Sequence, residues 1–574
     1  MKLPMAMRGI LVVAFMGNRV TFRCSCRSGF AATRDSQHRW VAAEPFLQFL
    51  QCTKEKIMNA RTLATLLAFL SCAVCAQTLT LGTKLELNTL DPHFFNAFPT
   101  GSSHSTIYEA LVFIDENQTL QPALATSWKV VNDTTWEFKL RRGVRFHDGG
   151  EFGADDVIAT FERVPNVPNS PNSFAQFVRG IASITKQNED TLIIKTKTPN
   201  PKLAFELARV FIVPAKIAKS ATTADFNATK AAIGTGAYKV TEWVNGDRLV
   251  LARNDAYWGT KQHWAKVTEK VIAKDPTRLA ALLSGEVDAI DLPAIADLPR
   301  LRNDKRFTLT KGAAGLVHYI ALDSARDVSP NVTAKDGKPL AKNPLKDPRV
   351  RKALSLAINR NAIAERLMEG SAVPASQLLP STFPGTSQKL KADAFDLGKA
   401  QALLKEAGWG DGFRMVLSAT NDRYPNDASV AQTIAQMWTK LGLKVEVEAI
   451  PGSVFFGRAS KQDFSAFAAQ YGSEEAGTGI RALIMTPDAS IGAGTANRTR
   501  YSNGKVDALT REALMQMDEA KRGAWLEKAI EVAMDDQAFI PIFYPIFDYA
   551  AKKGLKVTHR PERRFNALMV KPEK

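Results

Sequence analysis

The chain has 574 residues, 45% hydrophobic and 23% charged, an ordinary globular composition with length for roughly three to four domain-sized units. General disorder, a collagen-like repeat and a small disulfide scaffold are excluded. Of the formal charge of +17, residues 1–76 carry +7, and the remaining +10 is spread thinly over the body, so little beyond net charge points to nucleic acid.

All five cysteines, Cys24, Cys26, Cys52, Cys72 and Cys75, precede residue 77. The long remainder can work in an oxidising compartment without mispairing, and it offers neither a cysteine nucleophile nor a thiolate metal site. Met58-Asn-Ala-Arg61, the apolar run Leu63 to Leu70 and the small residues Val74 and Ala76 form a charged, an apolar and a cleavable region in the order of an export signal. Cleavage is expected after Ala76. Residues 1–57 then read as a non-native N-terminal extension, with Met58 as the true initiator and Ile10 to Met16 as a second, incomplete targeting run.

Downstream, Thr78 to Gly82 alternates as a strand and leads into a loop over Thr83 to Pro92. Tyr108 to Phe113 reads as the end of a helix. Thr135 to Leu140 reads as a half-buried strand that resumes over Val144 to Phe146 after a turn at Arg142-Gly143. Asp155-Asp156 open a helix through Arg163, where carboxylates favour the positive end of the dipole, and Thr191 to Lys197 is a further strand. From Leu345 helices and strands alternate. Asp347 caps a helix with Pro348 at its first position. Leu397 to Ala407 stops at Gly408, and Ser429 to Leu441 stops at Gly442 before the strand Lys444 to Glu448. Helix, glycine, strand in that order is α/β architecture.

Catalytic signatures are sparse. The sequence has no Gly-x-Ser-x-Gly, His-Glu-x-x-His or Walker loop. Ser183 to Lys186 and Ser502 to Lys505 match Ser-x-x-Lys but lack the helix start and companion Lys-Thr-Gly that a serine nucleophile of that kind needs. The glycine pairs Gly234-Thr-Gly236 and Gly492-Ala-Gly494 lack the third glycine of a phosphate loop. His93, His104, His147, His263, His318 and His559 show no metal-ligand spacing. A glycosidase pair assembled from distant carboxylates stays open at this level.

Several segments together resemble the family 5 extracellular solute-binding proteins, the dipeptide, oligopeptide and nickel receptors of ABC importers. They are Gln121 to Trp128, Trp136 to Gly149, Ala154 to Val157, Ile233 to Lys239, Arg253 to Gly259, Ser284 to Asp288, Asp347 to Leu354 and Ala402 to Trp409. They keep the family's order and span essentially residues 77–574. Trp128, Trp136 and Trp258 read as core aromatics, and Phe146 to Gly149 as a turn, so His147 and Asp148 are no catalytic dyad. Gly153 stands where the family usually has a threonine cap.

The resemblance implies an α/β, two-lobed periplasmic-binding-protein-like (type II) fold with an extra domain inserted in the first lobe. Its expected parts are a signal peptide at 58–76, a first lobe from 77–318 plus 541–574 with the insert near 115–211, and a second lobe from 319–540. The chain is expected to cross near His318 to Asp323 and return near Ile540 to Tyr544. Function follows as periplasmic capture of a small peptide-like or zwitterionic solute by a monomer and its delivery to the transmembrane subunits of an ABC permease, with no cofactor, no catalytic residue and no nucleic acid. Arg423, in Asn421-Asp-Arg-Tyr-Pro-Asn426, resembles the arginine that holds the ligand carboxylate. Glu475, with Glu474 beside it in Tyr471-Gly-Ser-Glu-Glu-Ala476, takes the place of the acid that holds the ligand amine. Leu85, in the covering loop Thr83 to Leu87, with Tyr319 and Tyr471, completes the expected ligand-binding set. Two alternatives stand beside it: a metal or haem receptor on the same fold using His93 or His318, and an extracytoplasmic hydrolase.

Overall fold

The computed structural model describes the backbone of residues 11–16 and 19–24, and residues 77–96 and 98–573. The expected export signal at 58–76 lies outside the described residues. The chain divides into two compact units, Met1–Cys75 and Ala76–Lys574. In the first, the strands Leu11–Met16 and Arg19–Cys24 pair antiparallel with Leu11 opposite Cys24. Everything below concerns the second.

Its first sheet region is built on Thr78–Thr83, which runs parallel to Lys266–Val271 on one side and Ala289–Asp291 on the other. A strand flanked by parallel neighbours is covered on both faces, and Leu79, Leu81, Gly82 and Thr83 are all buried. The hairpin Tyr238–Val244 and Arg248–Arg253 extends this region outward. The second region holds Leu316–Leu322, Ala466–Gly472, Arg414–Thr420 and Lys444–Ile450 in sequence across the sheet.

One strand joins the two. Ile540–Lys552 pairs at its start with Leu316–Leu322 and, from Ile546 onward, with Phe307–Ala313. Its residues Ile540 to Tyr544 and Phe547 to Ala551 are buried almost without a break, which an alternating half-exposed strand would not allow.

A separate antiparallel sheet, ordered Ala125–Asn132, Thr135–Leu140, Thr191–Thr196, Ile181–Asn188, has its own core of Trp136, Phe138, Leu140, Phe146, Val157 and Leu192. In Thr135–Leu140 the burial alternates with Trp136, Phe138 and Leu140 inward, the period of a strand with one wet face. Fully burying such a side chain is worth roughly 1.5–3 kcal/mol.

Local chemistry explains the helix boundaries. Pro348–Leu356 starts where the Asp347 carboxylate accepts the Arg349 backbone N–H at 2.9 Å. Ala154–Arg163 starts at Gly153, whose own N–H is taken by Asp156 at 2.8 Å. Asp427–Thr439 buries Val430, Ala431, Ile434 and Trp438, a helical stripe, and the Trp438 indole donates to the Leu354 carbonyl at 2.9 Å.

Two sequence expectations are corrected. Tyr108 to Phe113 is not a helix end: the helix stops at Ile107, and Val112–Ile114 forms a strand paired with Leu120–Pro122. Burial there alternates, with Val112 and Ile114 inward and Phe113 exposed, and so short an apolar run cannot be told from a helix by periodicity. Val144 to Phe146 forms no regular strand and makes a single bridge from Arg145 to Glu151. The Gly234-Thr-Gly236 pair is a packing device, since a Cβ at either glycine would collide with the Ile107 carbonyl.

Candidate functional site

The second sheet region delivers the first half of the site. Ala466–Gly472 ends at the half-buried Tyr471 and exposed Gly472, and after Ser473 and Glu474 the helix Ala476–Leu483 begins with Glu475 as its cap. The Glu475 carboxylate accepts the Thr478 backbone N–H at 2.7 Å and the Thr478 hydroxyl at 3.0 Å. Its other oxygen accepts Arg522 Nη1 at 2.8 Å from the helix Glu519–Asp535. Glu475 is 5% exposed. Burial opposes its charge, yet the Lys202 and Arg522 cations and the Thr478 donors hold it below the usual carboxylate range.

A segment distant in sequence reaches over this cap. Around the helix Leu203–Leu207, Lys202 Nζ donates to the Thr478 hydroxyl at 2.9 Å, and Arg209 forms an ion pair with Glu474. Beside these contacts lies a cavity of about 110 Å³ lined by Asn96, Phe174, Phe211, Arg209, Glu474 and the C-terminal pair Glu562 and Arg564. Glu562 stands between Arg560 and Arg564, the latter at 3.4 Å. Burial, then the neighbouring Arg564 charge, lowers the Arg209 guanidinium to about 10.

Arg423 sits exposed in the loop before Asp427–Thr439. The buried Asp427 carboxylate fastens that loop by accepting the Thr420 hydroxyl at 2.6 Å and the backbone N–H groups of Arg423 and Tyr424 at 3.1 and 3.2 Å. Across from it, Arg563 lies over the Phe547 ring at 5.1 Å, and burial together with the facing Arg423 charge lowers its proton affinity.

The expected ligand set therefore distributes unevenly. Glu474 borders the cavity, Arg423 is exposed, and Tyr471 is half-buried with its hydroxyl pushed up to about 12 by burial. Tyr319 is a core residue, 1% exposed and edge-on to Phe467 and Phe539. Leu85 is exposed and borders a separate cavity of about 20 Å³ with Trp243, Arg248 and Glu269. Arg209, Arg522, Arg563 and Arg564 were not found by sequence reasoning. No local motif marks them, and Arg522 meets an acid 47 residues away in the chain.

The two histidines considered as metal or haem ligands are both buried. His93 accepts from Arg163 at 2.8 Å through Nδ1, which leaves Nε2 to donate to the Phe211 carbonyl at 2.7 Å, so neither nitrogen has a lone pair to offer. His318 stacks on Phe543 with ring centres 4.7 Å apart. Among the described residues no group of three or more His, Cys, Asp or Glu is placed to hold a metal ion, and no helix is long and apolar enough to cross a membrane.

The family described as bacterial extracellular solute-binding proteins, family 5 Middle, matches residues 119–478. Heme-binding protein A of Haemophilus influenzae is 26% identical over 474 residues, covering 78% of this chain and 83% of its own. Glutathione-binding protein GsiB of Escherichia coli K12 is 27% identical over 498 residues, covering 84% and 92%. The solved structure of HbpA2 from Haemophilus parasuis superposes with a TM-score of 0.75 at 22% identity, covering 87% of this chain and 100% of that one.

Proposed function

The chain belongs to the bacterial extracellular solute-binding proteins of family 5, and from that premise we propose that it encloses a small peptide-like or zwitterionic solute between its two lobes and delivers it to the transmembrane subunits of an ABC permease. Proteins of this family are receptors for solutes rather than enzymes. For this chain we extend that to binding without turnover, by a monomer exported to the periplasm through the signal at 58–76. The lobes are proposed as 77–318 with 541–574, and 319–540, with the insert near 115–211.

The observation that carries the reading is the meeting of Arg209 with Glu474 and of Lys202 with Thr478 beside the 110 Å³ cavity. Groups far apart in the chain converge there beside an open space, an arrangement that suits hinge closure around a ligand. Arg423 suits a carboxylate by its bidentate fork. Glu474 and Glu475 remain the proposed acids for an amine, with Tyr471 as the adjoining wall and Leu85 on the covering loop.

The test is a thermal-shift screen of the purified protein against dipeptides, opines, glutathione, nickel complexes and haem, the last three included because similar proteins are named for such solutes. A true ligand raises the melting temperature in proportion to the logarithm of its concentration and is recovered chemically unchanged. Absence of a graded rise with every compound overturns the reading, and steady product formation moves the protein to the hydrolases.

A further inference from the structure

We infer that the solute is a net acid, selected by Arg423, Arg481 and Arg498. The inference rests on the solute-binding reading and deepens it. The carboxylates around the cleft are answered from within the protein. Glu474 meets Arg209, Glu475 meets Arg522, Glu562 lies beside Arg560 and Arg564, and Glu206 stands 3.9 Å from Lys202. A solute with surplus cations, beyond the one amine assigned to Glu474 and Glu475, would have to take counter-ions from several of these pairs and leave desolvated arginines behind, a costly exchange.

The cations are differently placed. Among the described residues Arg423, Arg481 and Arg498 enter no ion pair, and the buried Nε of Arg481 has no hydrogen-bond partner. Arg498 stands over the Phe456 ring at 5.5 Å, and its charge reaches Tyr319, Tyr424 and Tyr471. The Arg423 charge reaches Tyr424 and the Arg481 charge reaches Tyr471, so the three arginines gather about the same two tyrosines. Arg423 also faces Arg563 across the lobes. Like charges gathered at a partly desolvated surface repel one another, and an oxyanion set between guanidinium forks turns that repulsion into short charge-assisted bonds.

The test uses the full chain and three dipeptides of one backbone: glutamyl-glutamate, alanyl-alanine and lysyl-lysine, titrated by calorimetry and followed by thermal shift. Glutamyl-glutamate is expected to bind at least about tenfold more tightly than alanyl-alanine, with lysyl-lysine weakest. Arg423→Glu, on an exposed side chain that leaves the fold intact, should abolish or reverse that order, and Arg481→Gln should weaken the acidic member alone. Tighter binding of the neutral or basic dipeptide by the unmodified protein, or an unchanged order in Arg423→Glu, overturns the anion assignment while leaving solute binding in place. No stabilisation by these three or by any compound of the wider screen overturns both.

Discussion

Arg522 Nη1 donates to Glu475 Oε1 at 2.8 Å, with the two side chains 12% and 6% exposed. The expected amine-binding acid is thus also the cap of Ala476–Leu483 and the anchor of a neighbouring helix, and the consequences of altering it are structural as well as functional.

Glu475→Gln removes the charge that Arg522 answers and weakens the cap on Thr478. Breaking one partner of a buried pair costs about 3–5 kcal/mol, so the ligand-free variant should unfold at distinctly lower denaturant, with Arg522→Met moving the same way. The Glu475 pKa is depressed on folding, so this stability is present above the unfolded carboxylate value and is lost as pH falls through the folded one. Equilibrium denaturation of both variants against pH checks this, and midpoints equal to the parent's would reject it.

Arg423 is exposed, and only the backbone of its loop is fastened to Asp427. Arg423→Met should therefore leave the melting temperature of the free protein nearly unchanged. It should cost about 2–5 kcal/mol of binding, or roughly 30- to several-thousand-fold, once a ligand from the thermal screen is in hand. Calorimetric titration decides it.

Arg209→Ala deletes the contact with Glu474 that crosses the proposed lobe boundary. A partly exposed pair is worth up to about 1 kcal/mol, enough to shift an open–closed equilibrium about fivefold. The ligand-free variant should scatter with a larger radius of gyration, and saturating ligand should restore the compact value and slow hydrogen exchange at Thr83 to Leu87 and Tyr471 to Glu475. An unchanged radius in both states argues against closure.

His318 is buried in the strand Leu316–Leu322, and burial lowers its pKa to about 4. Because the unfolded ring titrates near 6.5, the unfolded chain binds more protons between those values, and stability drops as pH falls from 6.5 to 4. His318→Phe keeps the stack on Phe543 and removes the titration, so its stability should fall less steeply over that window.

Glu269 behaves in the opposite sense. Burial raises its carboxyl to about 7, and Ser103 donates to it at 2.5 Å. The folded form holds its proton where the unfolded one has lost it, so this contribution declines as pH rises from the ordinary glutamate value through 7. Glu269→Gln should flatten that decline in denaturation profiles.

The sequence by itself determined the local elements and the family's outline. Asp347-Pro348, Gly408 and Gly442 mark helix ends through backbone chemistry that acts within a few residues, and the alternation in Thr135 to Leu140 names the buried face of a strand. Even there, the apolar run at Tyr108 to Phe113 was undecidable, since six residues fit both periods. The state of each candidate side chain was decided only by tertiary structure. Tyr319 was drawn into the core, Glu475 was taken up by Arg522, and Arg423 was left exposed opposite Arg563. Such outcomes depend on which distant charge arrives alongside, and the spacing of residues along a chain carries no record of that. A motif can nominate a carboxylate, but whether its charge remains available to a ligand is settled by partners that only the folded lobes bring within reach.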